Sequence, residues 1–213
     1  MTIFFVTNSD SQTADNLAVA KKIAAHTDIK LFDGDALRDR LHDQLLGEKR
    51  AIFSMSHGSS VAIIDTDGIG AVVENDGGAL AGFKVYAWAC QTANFLGGVM
   101  AQKNIHWWGY DASITAPDGR KEYLDIFAEV MSVAKNNFED GIDHSSVEKI
   151  LDLIKEACHA AEKKLDSFES IEIEDVISLY CCCQQIWSRL CVWLPGEKQP
   201  IKHKDAPPIY INM

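Results

Sequence analysis

The 213-residue chain lacks several features that would settle its class at once. No apolar run approaches the roughly 20 residues that span a bilayer, so a membrane protein is not expected. There is no basic excess: 20 Lys and Arg stand against 31 Asp and Glu, a formal net charge of −11. Nonspecific binding to phosphate backbones needs a basic face, which leaves nucleic acid an unexpected partner. No Gly-x-Gly-x-x-Gly and no phosphate-loop lysine motif occurs, so a nucleotide site has little support. No Cys-x-x-Cys pair occurs either, and repeats and low-complexity tracts are missing. Met1–Val6 has no basic flank and is too short for a secretory leader. The expectation is a soluble cytoplasmic protein.

The chain has ample material for a core, with 47% apolar and 24% charged residues. At about 150 residues per domain, one large domain over 1–213 is expected. Residues 1–115 alternate in type. Short apolar runs at Ile3–Thr7, Ile29–Phe32, Ala51–Ser56, Phe83–Ala89 and Ile105–Tyr110 read as strands. Helical spacing runs over Thr13–Ala25, through Leu37, Leu41 and Leu45, and over Ala93–Lys103. Strands apolar on both faces, separated by helices, imply a parallel sheet between two helical layers. Residues 116–213 read as a helical half. One apolar stripe runs from Tyr123 to Ala134 and a longer one from Val147 to Leu165. The run Val176–Leu194 holds a helix and a last strand near Leu190–Leu194, followed by an extended tail. The fold class expected is therefore α/β, a three-layer sandwich around a mostly parallel sheet of about six strands.

Chemistry in such sheets gathers at the carboxyl ends of the strands. The third strand delivers His57-Gly58 and the fourth delivers Cys90. On neighbouring parallel strands, spaced about 4.8 Å, an imidazole and a thiol can face one another. A thiol is mostly protonated at neutral pH, and an imidazole can take its proton or protonate a leaving group. Gly58 lets backbone approach a substrate closely, so its amide and that of Cys90 could hold an oxyanion.

The bland alternatives are read beside these. Asp65, Asp67, Glu74 and Asp76 lie among Gly58, Gly68, Gly70, Gly77 and Gly78 and could gather a divalent cation. No binding-loop spacing is met, so a solvated, mobile loop bordering a substrate groove is expected instead. Cys181-Cys182-Cys183 with Cys191 invites a zinc reading, but adjacent helical residues point about 100° apart and cannot all ligate one ion. Helix packing is expected there, and no metal or organic cofactor is expected. His106, Trp107 and Trp108 read as core and rim of the fifth strand, with one Trp a candidate for the cleft. His26, His42, His144, His159 and His203 read as surface or helix-flank residues, and Glu169–Asp175 as a solvated loop or helix start.

A hydrophobic block ending in His-Gly, here Ala51-Ile52-Phe53-Ser54-Met55-Ser56-His57-Gly58, precedes a second block ending in Ala-Cys, here Val85-Tyr86-Ala87-Trp88-Ala89-Cys90. This pairing resembles the caspase-like cysteine peptidases, and most closely the bacterial CHAT-type proteins. The likeness is good over residues 1–115 and loose beyond. It implies a caspase-like fold and a cysteine endopeptidase with Cys90 as nucleophile and His57 as proton-transfer partner. It also implies a specificity pocket near the ends of the first, fourth and fifth strands, where Asp10 and Asp111 stand. An acidic pocket there would favour a basic residue before the scissile bond. Trp88 occupies the position, two before the cysteine, where some relatives carry an acid. Relatives are often bacterial stress or defence effectors under a regulatory protein partner. Two rival expectations are a catalytically silent interaction module of the same fold and a flavodoxin-like binding domain.

Overall fold

The structure is a computed structural model that describes residues 1–47, 51–115, 120–168 and 173–207, with the side chains of Gln12 and 173–177 excepted. Its centre is a six-stranded sheet. In chain order the strands are β1 (Thr2–Val6), β2 (Ile29–Phe32), β3 (Ala51–Met55), β6 (Lys84–Trp88), β7 (His106–Tyr110) and β8 (Leu190–Trp193). Between β3 and β6 the chain forms a separate hairpin, β4 (Ala62–Ile64) and β5 (Gly70–Val73). The order across the main sheet is β2-β1-β3-β6-β7-β8. Every pairing is parallel except β7 with β8.

Among the described residues six α-helices accompany it: α1 (Ser11–Ile23), α2 (Arg38–Leu45), α3 (Leu96–Gln102), α4 (Lys121–Asn137), α5 (His144–Leu165) and α6 (Ile173–Ser188). Alternation along the strands divides the interior in two. Phe4, Phe53, Tyr86 and Trp108 face one core with α1, α4, α5 and α6, while Ile3, Ile52, Val85 and Trp107 face the other with α2, α3 and the hairpin. The protein is α/β with a mostly parallel central sheet between two helical layers.

The strand register is marked by a row of rings. Phe4 pairs with Phe53, Phe53 with Tyr86, and Tyr86 with Trp108. The ring centroids are 5.4, 4.7 and 6.4 Å apart in that order, and Phe53 and Tyr86 stack at 7°. Such pairs contribute about 0.5–1.5 kcal/mol each beyond their burial. A slip of one residue would turn each ring to the opposite face, so this row and the burial pattern enforce the same register.

Several expectations need correction. The Asp- and Gly-rich stretch is no mobile loop: Asp65 and Asp76 are buried, and Ile63, Ala71 and Val72 belong to the second core. Asp65 accepts from the amides of Arg38, Asp67 and Ile69, and Asp76 takes the Arg38 guanidinium at 2.5 Å. The carboxylates serve turn amides and one cation, which is why they can be buried. His203 is also buried, donating from Nε2 to Asp152 and lying edge-on to Trp187. Trp107 and Trp108 are both fully buried, so neither borders a cleft. The tail does not simply extend: Ile201 pairs with Val192 in an isolated bridge. Glu169–Glu172 and Pro208 onward lie outside the described residues. Among the described residues no helix is long and apolar enough to cross a membrane.

Removing the central ring of the row should be expensive. Phe53 is fully buried, and Phe53→Ala is expected to lower the unfolding free energy by about 3–5 kcal/mol. Urea titration checks this; a loss under about 1 kcal/mol would mean that the row does not hold the strands.

Candidate functional site

The register decides which loop residues meet. Met55 pairs with Trp88, and the Ser56 amide extends that ladder by donating to the Trp88 carbonyl at 3.2 Å. His57 and Cys90 each stand two residues beyond this last pair, level with one another on adjacent parallel strand ends. Side chains alternate with period two, so both leave on the side of Met55 and Trp88. Both line one small cavity of about 20 Å³, together with Thr13, Asn16, Ser56, Trp88 and Ile114.

Asp10 reaches this place from the neighbouring strand. As the N-cap of α1 it accepts the Thr13 amide through Oδ1 at 2.9 Å, and Oδ2 lies 2.6 Å from His57 Nε2. The Thr13 N–H, and after it His57, hold the Asp10 carboxyl below its ordinary value against some desolvation. An ionised carboxylate only accepts, so the His57 Nε2 carries the proton of this contact and Nδ1 is left as the acceptor nitrogen. Asp10 was expected in a specificity pocket; its carboxylate instead braces the imidazole.

Cys90 is half-exposed at the end of β6. The residue after it, Gln91, has φ 59°, a left-handed conformation uncommon outside glycine. That turn aims the Gln91 amide at the Ala112 carbonyl, 3.0 Å away. The Ile114 main chain brackets the sulfur: its N–H donates to Sγ at 3.4 Å and its carbonyl accepts from the thiol at 3.7 Å. Thr115 anchors this segment to α6, its amide donating to Gln185 and its carbonyl accepting from the Cys182 thiol.

Gly58 closes the arrangement. A Cβ on Gly58 would stand 2.7 Å from the Ala89 Cβ, 2.9 Å from Thr92 Cγ2 and 3.0 Å from the Cys90 carbonyl. The two strand ends therefore touch through a residue that has room for no side chain. Among the described residues neither the Gly58 amide nor the Cys90 amide has a hydrogen-bond acceptor. Unpaired amides beside a nucleophile are what an oxyanion needs.

The other cysteines offer little to such chemistry. Burial pushes the Cys158 and Cys182 thiols far up, and those of Cys183 and Cys191 up to about 12. Cys181 is exposed on α6, away from this cavity. Among the described residues no group of His, Cys, Asp or Glu is placed to hold a metal ion.

The structure thus brings His57, Cys90 and Trp88 to one cavity, sets Gly58 between them and turns Asp10 onto the imidazole. It does not bring Asp111 there. The Asp111 side chain is 3% exposed and is held by Lys202 at 2.9 Å and Arg189 at 3.5 Å. Position at the end of β7 puts it beside β8 and the tail, and both cations come from those segments. Thr13, Asn16, Ser56 and Ile114 were not anticipated. The Asp10-x-x-Thr13 spacing is a capping signal that could have placed Thr13; Ile114 sits in an irregular segment with no periodicity to read. Comparison with protein-family models, curated proteins and solved structures finds no match to this chain.

Two outcomes test the geometry. Gly58→Ala should lower stability by about 1–3 kcal/mol through overpacking, measured by urea titration; wild-type stability would mean that the strand ends do not touch. The Asp10 carboxyl is depressed from 3.8, so its stabilisation is complete above that pH and lost as pH falls through the lower folded value. Asn caps helices as well as Asp does but does not titrate. The stability advantage of wild type over Asp10→Asn should therefore vanish in acid, and unfolding curves at pH 6 and below pH 3 read it directly.

Proposed function

We propose that the protein is a cysteine endopeptidase with a caspase-like arrangement of its sheet. The observation that carries this is the level placement of His57 and Cys90 around one cavity, with Asp10 on the Nε2 of the imidazole. Five parallel strands, the last strand antiparallel and the catalytic pair on β3 and β6 agree with the His-Gly and Ala-Cys blocks that carry the family resemblance.

The reaction follows from the groups present. A peptide carbonyl enters above Cys90 and Sγ attacks its carbon, while the thiol proton passes to His57 Nδ1. The carbonyl oxygen takes the negative charge, and the Gly58 and Cys90 amides donate to it. Asp10 stabilises the imidazolium and holds its ring orientation, as a carboxylate does in other nucleophile–histidine pairs. The C–N bond breaks, His57 protonates the departing amine, and water, deprotonated by His57, hydrolyses the thioester. No step calls on a cofactor.

The flavodoxin-like alternative has a specific difficulty. The first five strands of the sheet do follow the order of such domains, with a crevice between β1 and β3. A phosphate there would seat on the N-terminus of α1. The Asp10 carboxylate already accepts the Thr13 amide and would repel the ligand.

A fluorogenic peptide library tests the proposal. Cys90→Ala should abolish hydrolysis, and His57→Ala should lower kcat by about 10²–10⁴-fold. Hydrolysis that persists in Cys90→Ala would remove Cys90 from the mechanism, and a thiol probe that never labels Cys90 would indicate the silent interaction module instead.

A further inference from the structure

We infer that the cavity beside Cys90 selects a small, uncharged side chain, glycine or alanine, immediately before the scissile bond, and that Trp88 sets its depth. The inference rests on the peptidase reading above and names its substrate class. It departs from the basic preference that the family resemblance implies.

Size comes first. The cavity that touches both the sulfur and the imidazole is partly open to solvent and leaves a water-sized group about 20 Å³ to occupy. By this measure one water needs about 10–15 Å³, so the floor of the pocket takes a methyl group, and a longer chain must turn out through its open side. The buried wall opposing a longer chain is Trp88, 2% exposed. It is held on two sides: Nε1 donates to Asn16 Oδ1 at 3.0 Å, and the ring meets Tyr110 edge-on at 5.0 Å. Tyr110 is itself tied to Tyr86 through a 2.8 Å hydroxyl contact. The indole cannot swing aside without breaking these contacts.

Charge comes second. None of the described residues lining the cavity carries a carboxylate. The two candidates for a basic-residue pocket are committed elsewhere, Asp10 to Thr13 and His57 and Asp111 to Lys202 and Arg189. Among the described lining residues a lysine or arginine side chain would find no carboxylate partner, which is costly. Among the described lining residues an acidic side chain would meet no cation except a protonated His57, whose charge Asp10 already offsets. The polar wall groups are also engaged: Thr13 Oγ1 donates to Asp10, Asn16 Oδ1 accepts from Trp88, and the Ser56 hydroxyl pairs with Ser54. Apart from the Asn16 side-chain N–H groups, no polar side chain among the described wall residues is left to reward a charged or long side chain.

The test labels Cys90 with peptidyl acyloxymethyl ketones that differ only in the residue next to the warhead: Gly, Ala, Leu, Arg or Asp. Labelling rates come from peptide mapping of the full chain, with iodoacetamide as the non-peptidyl control and Cys90→Ala as the blank. The Gly and Ala reagents should react at least about tenfold faster than the Leu, Arg and Asp reagents. Trp88→Phe, which keeps a ring against Tyr110 but shortens the wall, should raise the Leu rate relative to Ala. If that variant does not fold, the wild-type panel still decides. Arg or Leu reacting as fast as Ala would overturn the inference while leaving the peptidase reading standing. Iodoacetamide labelling without any peptidyl labelling, or no labelling of Cys90 at all, would overturn the peptidase reading and this inference with it.

Discussion

Parallel strands have no hairpin to set their register, so something in their side chains must do it. Here the row Phe4, Phe53, Tyr86 and Trp108 runs across four strands with its rings in contact. One residue of slip would carry these rings out of the first core and put Ile3, Ile52, Val85 and Trp107 in their place. The same slip would remove His57 from the level of Cys90. A packing interaction deep in the sheet therefore determines whether two chemical groups at its edge can exchange a proton.

Above that row the site is assembled from few parts, several of them serving twice. Asp10 caps α1 and braces the imidazole. Trp88 is core on one side and cavity wall on the other. Gly58 allows the β3 and β6 ends to touch, and among the described residues its amide has no acceptor. Sharing of this kind ties function to stability. A change that loosens the helix cap also loosens the histidine.

Much of this was readable from residues alone. Strand positions follow from short apolar runs bounded by Asp, Gly and Asn, and the alternation of strand and helix implies the parallel sheet. His57 and Cys90 stand out because each ends such a run. The hairpin β4–β5 was obscured because its strands are three and four residues long and lie among Asp and Gly, which locally favour loops. The burial of Asp65 and Asp76 was hidden too, because beside amides of their own turns they share one remote partner, Arg38, whose amide serves Asp65 and whose guanidinium serves Asp76. Composition records a carboxylate but not what compensates it.

The sequence by itself determined the α/β class, the parallel character of the sheet and the two strand ends that carry a thiol and an imidazole. These depend on periodicity and on local order along the chain, which neighbours in sequence express. Tertiary structure alone decided what each acidic residue does. Asp10 and Asp111 look equivalent as strand-end carboxylates, yet one meets His57 and the other meets Lys202 and Arg189. It also decided the size of the cavity, because Trp88 is held there by Asn16 and Tyr110. Charge partners and cavity walls come from residues remote along the chain, and only folding brings them within reach of one another.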